Sequence, residues 1–524
     1  MNPLTSALPE AAALFLPAHV WGGAVLQPAA LIGQIPSVMF LSSFMAFLPE
    51  LVLLAGGLVL FFVTLVENLA QRARFVALVT ALATLATCAL CLRQEAVLFS
   101  GAYRVDAFSQ LLKLIFAFGF TAILLLSGRP ADVREKIQPE YFLFLTLSVS
   151  GLLMLVSCVD VIALVIALEL SSFPLYLLVP MRRERDGQRN QMESAIKYIM
   201  FGVAANGIML FGLSYLFGLT GTTSLPLMAA QLGPIVHSPL VVVGLALTFC
   251  GLFYKLAVFP FHFWTPDVYE GASNETASLI ASLPKIGAVA VLVRIVSLAS
   301  ADHTTIATLL TGLAIASMAF GNLIALGQTD FKRLLGFSGI AHAGYALVGF
   351  VTLSDPGYAA ALYYITGYML MVLACFVVIS RVSRDGTNVA IAELAGLHRR
   401  SPLLAATLIV GVFGLAGIPP FVGFFGKLSL LTAALAKGHL LLVIITMINA
   451  AIAVYYYLRV VREAIFGDPV EKAGPIVLDA STRVLCVALI VAIVALGLAP
   501  AVVLDALSQS LAGINLPIAG LPPR

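Results

Sequence analysis

Runs of about twenty apolar residues recur along this chain from Phe44 to its end, each the length of a helix that crosses a bilayer. No water reaches the hydrocarbon to satisfy backbone N–H and C=O groups, so only helices and closed barrels can span it. The alternating ten-residue segments of an outer-membrane barrel are absent. The sequence therefore specifies an all-α polytopic membrane protein. Charged residues make up 10% of the chain, against roughly 25% in a soluble domain. A net charge of +3 is too small to argue for nucleic acid, and leaves the lipid bilayer as the partner that composition demands.

Spans are expected near 44–66, 75–98, 106–127, 139–158, 160–180, 193–217 and 239–262. Others follow near 275–299, 305–326, 331–353, 357–380, 402–436, 438–463 and 484–506, about fourteen transmembrane helices in all. Two of them carry breakers. The seventh is interrupted at Pro260 and followed by Pro266; the twelfth holds Gly414, Gly417, Pro419, Pro420, Gly423 and Gly426. Broken helices at membrane depth line cavities and transport sites. Residues 1–43 form an apolar, proline-bearing extension with no basic start, since the first basic residue is Arg72. Cys88 and Cys91 form a C-x-x-C inside an apolar helix, where packing explains them.

Basic residues cluster after odd-numbered spans: Arg72 and Arg74; Arg129, Arg134 and Lys136; Arg182, Arg183, Arg185 and Arg189. The pattern continues with Lys332 and Arg333; Arg381, Arg384, Arg399 and Arg400; then Arg459, Arg462, Lys472 and Arg483. Even loops hold little beyond Arg93, Arg104 and Lys437. Positive charge stays inside, so the odd loops are expected in the cytoplasm and both termini outside.

Two halves echo each other. Asp160 and Asp330 open similar spans 170 residues apart, Tyr198 and Tyr364 are 166 apart, and Lys255 and Lys427, on the two broken helices, are 172 apart. Five helices per unit is an odd number, so the expectation is two inverted five-helix repeats. The chain then divides into the extension 1–43, helices 1–3 at 44–138, a first repeat at 139–300, a second at 301–467, and a last helix and tail at 468–524.

Ionisable residues fall inside these apolar spans: Glu169, Lys197, Lys255, Lys285, Lys332, His342 and Lys427. Each costs about 2.5–3.5 kcal/mol to insert at mid-membrane, so a series of them reads as a route for charge, with protons foremost. Glu169 is expected to pair with Lys255. Such a pair is a switch if its separation changes, because the lysine holds its proton when close and gives it up when parted; a static packing pair is the rival reading. Lys285 and Lys427 extend the series, with His342 and His262 as relays. Lys197 and Lys113 can snorkel to an interface or, for Lys113, face a neighbouring subunit, and Lys332 with Arg333 suits an orientation anchor. No nucleotide, flavin, metal or nucleophile motif is present.

These residues carry a resemblance. The segment YKLAVFPFHFWTPDVYEGA at 254–272, with LELSSFPLYLLV at 168–179 and KRLLGFSGIAHAGYALVG at 332–349, resembles the antiporter-like subunits of respiratory complex I and of Mrp-type cation/proton antiporters. Trp264-Thr265-Pro266-Asp267, where sibling branches carry W-L-P-D, and Lys427, where one sibling has Glu, favour the subunit N branch. The resemblance implies a membrane-arm subunit of an NADH–quinone oxidoreductase, a translocase in which this chain moves protons and does no redox chemistry. Glu169 would modulate Lys255, Lys285 would be the central relay and Lys427 the residue near the outer exit. No cofactor is expected in this chain; FMN, iron–sulfur clusters and quinone would sit in partner subunits. Those partners would be other membrane-arm subunits, M- and L-type and small K-, J-, A- and H-type, in a bacterial plasma membrane. An Mrp-type Na⁺/H⁺ antiporter subunit, or a hydrogenase or ferredoxin-driven relative, is the alternative. One departure stands out: Ser273-Asn274-Glu275-Thr276 replaces a proline-containing turn. It reads either as a helix N-cap or as an altered site of proton uptake.

Overall fold

The computed structural model describes residues 43–66, 69–128, 130–185, 189–299, 303–468, 474–512 and 514. Met45 onward belongs to one compact unit, the subject of this description. The expected N-terminal extension, apart from Ser43, lies outside the described residues, as do Arg129 and Lys472.

The helices are α1 Leu48–Thr64, α2 Ala70–Leu90, α3 Ala107–Ser127, α4 Gln138–Leu155, α5 Val161–Leu178, α6 Asn190–Thr220 and α7 Pro239–Leu256. Then come α8 Asn274–Val296, α9 Thr304–Ala325, α10 Phe331–Val351, α11 Asp355–Val382, α12 Pro402–Ala416, α13 Val422–Ala436, α14 Leu440–Phe466, α15 Ala480–Leu498 and α16 Pro500–Leu511. Short helices Leu225–Leu232, Thr265–Gly271 and Leu397–Arg400 and a small antiparallel hairpin, β1 Ala96–Leu98 with β2 Tyr103–Val105, complete the named long elements. Among the described residues, twelve helices are long and apolar enough to cross a membrane. The first expected span is the 17-residue α1 and the twelfth is two 15-residue helices, α12 and α13. The last expected span, 484–506, is corrected. Its helix ends at Leu498 and Pro500 opens a separate helix, because proline suits a first turn and not a helix interior.

Carboxylates set several helix starts. Asp106, Asp160 and Asp330 accept backbone N–H groups at the first turns of α3, α5 and α10. The echo between Asp160 and Asp330 extends to the surrounding backbone. Val161 N–H donates to Thr223 O at 2.8 Å and Leu225 N–H to Val159 O at 2.9 Å; Phe331 N–H donates to Val389 O at 3.0 Å and Ile391 N–H to Thr329 O at 2.9 Å. Each capped helix is thus pinned by the same pair of bonds to a distant loop.

Both breaks occur where the sequence put them. α7 ends at Ala257 in the left-handed region (φ 66°) and α12 at Gly417 (φ 85°), and each closes with an N–H reaching five residues back, Val258 to Phe253 O and Ile418 to Phe413 O. The two breaks are 160 residues apart, not the 172 that separate the lysines. Lys255 therefore precedes its break and Lys427 follows its own, which corrects the expected equivalence.

α8, α10 and α11 form the centre: every residue of the 18-residue apolar window in each is buried. α9 lies so close along α10 that a Cβ at Gly321 would stand 2.6 Å from Ala341 N. Outward faces of α1, α2, α6 and α14 carry exposed large apolar residues such as Phe62, Phe75, Phe211 and Met447, suited to lipid.

Candidate functional site

α5, α6 and α7 bring three polar groups together. Glu169 on α5 accepts a 2.5 Å hydrogen bond from the Asn206 side-chain amide on α6. Lys255, in the last turn of α7, donates to Ser172 Oγ, and Ser172 Oγ donates in turn to Leu168 O at 2.6 Å. The expected direct pairing is corrected: Glu169 and Lys255 make no ion contact within 4.0 Å. The reason is helical geometry. Ser172 stands on the same face one turn beyond Glu169, and its hydroxyl intercepts the ammonium. The Asn206 carbonyl oxygen is buried and has no partner. Beside the break, Trp264 Nε1–H donates to Tyr254 O at 3.0 Å, its indole stacked on Tyr198 at 4.7 Å, which fixes the exit of α7.

Lys285, fully buried on α8, donates to Gly339 O on α10 at 3.0 Å and lies 5.1 Å from the Tyr368 ring of α11. No carboxylate holds it. A carbonyl accepts from an ammonium and from a neutral amine alike, so this seat suits either protonation state. Tyr368 leads to His342 at a 4.8 Å ring separation. His342 on α10 is held at both nitrogens, Nδ1 by Tyr364 Oη at 2.6 Å and Nε2 by Tyr457 Oη at 3.0 Å. One nitrogen can take a proton while the other gives one. Tyr345 lies 5.8 Å from His342 and faces Lys427 at 4.9 Å. Lys427 on α13 bridges its break backward, donating to Leu415 O at 3.1 Å and Ala416 O at 2.9 Å, the last carbonyls of α12. Lys285, Tyr368, His342, Tyr345 and Lys427 therefore follow one another as a buried line of ring and ammonium–ring contacts through the centre, and the hydrogen bonds of His342 run to Tyr364 and Tyr457 beside it. No hydrogen bond joins Lys255 to Lys285.

Other expected residues fall elsewhere. His262 is buried among Phe259, Phe263 and Phe320, with Nδ1 unpartnered, and is not joined to the line. Lys197 pairs with Asp267 at 2.6 Å and Glu193 at 2.7 Å, and Arg333 binds Asp267 and Glu270. This partly exposed cluster ties the short helix Thr265–Gly271 to α6 and α10, so Lys197 serves a local ion network and does not snorkel freely. The anchor reading of Lys332 and the outward reading of Lys113 are corrected. Lys332 is wholly buried and donates to Ala272 O at 2.9 Å. Lys113 is wholly buried and pairs with Glu50 at 2.7 Å, so it faces neither an interface nor a neighbour. The Ser273 N-cap is observed, its hydroxyl accepting from Thr276 N–H at 3.2 Å, with Glu275 buried in the first turn.

Sequence reasoning missed Ser172, Asn206, Asn322 and the tyrosines of the line. Asn322 links Tyr345 at 3.1 Å to Tyr456 at 3.0 Å and also touches Asn449. A lone amide inside an apolar span was the available signal for Asn206 and Asn322. The i, i+4 spacing of Tyr364 and Tyr368 was the signal for a tyrosine face on α11.

Residues 158–453 match the family model described as NADH:quinone oxidoreductase/Mrp antiporter, TM. The chain is 66% identical over 475 residues to NADH-quinone oxidoreductase subunit N 2 of Opitutus terrae, covering 91% of this chain and 99% of that one. Among solved structures, a chain of respiratory complex I from Thermus thermophilus with bound aureothin superposes with a TM-score of 0.76 at 30% identity, over 88% of this chain and 100% of that one. A chain of the Mrp complex from Dietzia sp. DQ12-45-1b gives 0.81 at 21% identity, over 91% and 98%, a likeness of fold alone.

Proposed function

The chain belongs to the NADH:quinone oxidoreductase/Mrp antiporter family, as a subunit of the N type, and on that footing we propose that its central line of buried groups carries protons across a bacterial plasma membrane. It is a membrane-arm subunit of NADH–quinone oxidoreductase, the proton-translocating complex I, and quinone reduction belongs to other subunits. The observation that supports the proton route best is the run Lys285, Tyr368, His342, Tyr345, Lys427, every member of it buried and all but Lys427 on helices whose apolar windows are wholly buried.

In this reading Glu169 and Lys255 form the control element. With Lys255 seated on Ser172, Glu169 is one turn away and engaged by Asn206. A shift of α7 at its break that carries the ammonium to the carboxylate would fix its proton there; return to Ser172 would free it for Lys285. The proton then passes toward Lys427 by way of His342 and the hydroxyls of Tyr364 and Tyr457 that hold its two nitrogens, and Lys427 releases it outward. Lys197 stabilises the helix beyond the break and His262 packs against it.

The distribution of basic residues supports cytoplasmic odd loops, both termini outside, and uptake from the cytoplasm. The recurrent backbone bonds at Asp160 and Asp330 support two repeats, at 139–300 and 301–467, inverted by their odd helix count. Membrane-arm neighbours would be M- and L-type and small K-, J-, A- and H-type subunits, and FMN, iron–sulfur clusters and quinone would lie with partner subunits. The Mrp-antiporter alternative has a likeness of fold behind it, weaker than the 66% relative.

The test is redox-driven pumping by the purified, reconstituted assembly with Lys255→Met. Methionine keeps the bulk and removes the titratable amine. Joint loss of quinone reduction and pumping is expected. An assembled variant that pumps normally overturns the reading, and purification without quinone reductase activity favours the antiporter.

A further inference from the structure

A second carboxylate–ammonium pair lies outside both repeats. Glu50, in the first turn of α1, and Lys113, in the second turn of α3, have no exposed side-chain surface and meet at 2.7 Å. The Tyr103 hydroxyl of β2 donates to the same Glu50 oxygen at 2.6 Å, and the ammonium lies 5.3 Å from the Tyr103 ring. Other polar atoms around the pair are open. Glu50 Oε2, both amide atoms of Gln110 and Ser157 Oγ are buried without a hydrogen-bond partner among protein atoms. Gln110 precedes Lys113 by one turn of α3, on the same face.

A pair kept only for packing has its remaining hydrogen-bond capacity satisfied by protein, since an unfilled buried polar group costs about 1–3 kcal/mol. So many open donors and acceptors in one place mark a site for ordered water, which takes about 2–4 polar partners per molecule. A protonatable pair in contact with water can exchange protons with it. The surroundings lead outward. Ser157 O accepts from Arg104 N–H at 2.8 Å, and Arg104 and Asp106 are partly exposed at the rim. Arg294 of α8 reaches Asp106 at 3.8 Å, and the thiols of Cys88, Cys91 and Cys158 lie within electrostatic reach of the pair.

We propose that Glu50 and Lys113 are a hydrated proton-exchange pair that releases protons on the outer side of the membrane through the N-terminal helices. This rests on the translocation and orientation readings above. The Lys113 ammonium gives a proton to the Glu50 carboxylate, leaving an amine and a carboxylic acid with no net change of charge. The acid passes a proton to water and returns to the carboxylate, whose Oε2 is free to accept from that water, and the amine takes up the next. Gln110 and Ser157 orient the water; Tyr103 holds the other carboxylate oxygen.

The experiment compares the intact assembly in liposomes carrying wild type, Glu50→Gln, Lys113→Met and the neutral pair Glu50→Gln/Lys113→Gln, with Lys255→Met alongside. The neutral pair leaves no unpaired buried charge, so it should assemble. Expected are assembly of the neutral pair and a several-fold loss of protons pumped per NADH, matched or exceeded by each single variant. Wild-type pumping by the neutral pair, or its failure to assemble, overturns the proposal and makes the pair a fold element. If Lys255→Met pumps normally while the neutral pair does not, the lysine line fails and the release site stands. The reverse pattern removes the release site and leaves the line intact.

Discussion

Lys255 rests on Ser172, one helical turn past Glu169, with Asn206 holding the Glu169 carboxylate from the other side. The acid and the base are thus kept apart by two short polar side chains. Ser172→Ala removes the seat and leaves Glu169 as the ammonium's nearest strong acceptor. A hydrogen bond to a charged group contributes about 1.5–3 kcal/mol, which tips such a balance by about tenfold or more. The expected outcome is an assembled complex whose NADH–quinone turnover and pumping both fall about tenfold. Turnover and pH-gradient formation in proteoliposomes check it, and unchanged rates would mean that the Ser172 contact is incidental.

Asn206→Leu acts on the opposite partner. The carboxylate loses its one side-chain donor, and because Glu169 is half-buried the loss costs less than the about 1–3 kcal/mol of a fully buried acceptor left unsatisfied. Lys255 is the available replacement, so the variant should favour the paired state and slow turnover. Asn206→Gln keeps an amide in reach and should retain more activity. The ordering wild type, Gln, Leu in quinone reductase rate is the measurement.

Lys427 has an observed contact and a proposed task that substitution can separate. It closes the break by donating to Leu415 O and Ala416 O, and it ends the line that begins at Lys285. Lys427→Gln still offers N–H donors to those carbonyls, so assembly should survive while pumping falls about tenfold or more, as loss of a proton-transferring group implies. Lys427→Leu leaves the carbonyls unsatisfied and should also lower the yield of assembled complex. Equal pumping by Gln and wild type would reduce Lys427 to a helix cap.

Helix existence, the two breaks and the inventory of intramembrane charges were legible because each depends on local properties: apolar length, proline and glycine, and the cost of a charge in hydrocarbon. Partner choice was not. Whether Lys255 meets Glu169 or Ser172 depends on one turn of α5 against α7, which no spacing within either helix encodes. Lys332 read as an anchor and Lys113 as a snorkelling or subunit-facing residue because a lysine near a span end can turn outward; their burial follows from neighbours far along the chain, Ala272 for one and Glu50 for the other. The echo between Asp160 and Asp330 was legible because helix capping is local. The echo misled at the lysines, whose 172-residue offset slides past the 160-residue offset of the breaks. The tyrosines around His342 look like ordinary aromatic core until three helices converge.

Close approach of α9 to α10 gives a prediction independent of proton chemistry. Gly321→Val places a branched side chain where a Cβ already lies 2.6 Å from Ala341 N and 2.7 Å from Phe337 O, both backbone atoms that cannot swing aside. Overpacking of this kind costs about 1–3 kcal/mol. His342 is on the displaced helix, so a lower melting temperature of the assembly should be accompanied by weaker pumping. Gly312→Ala on the same helix, with open space around it, should change neither.

His342 offers the sharpest test of a relay as against a packed ring. Its nitrogens are occupied by Tyr364 on α11 and Tyr457 on α14, so a proton entering at one side must leave at the other through a hydroxyl. Tyr364→Phe and Tyr457→Phe each remove one hydroxyl and keep the ring. If the histidine only packs, the two losses are independent and their effects on pumping rate add. If it relays, breaking either end stops the same flow, and the double variant is no worse than the more damaging single one. Coupling between contacting residues runs to about 0.5–3 kcal/mol, ample to resolve in rates. His342→Phe should then match the double variant, because it preserves ring packing and removes both nitrogens at once. Additive losses from the two tyrosines would take His342 off the proton path and leave Lys285 and Lys427 to communicate by another route.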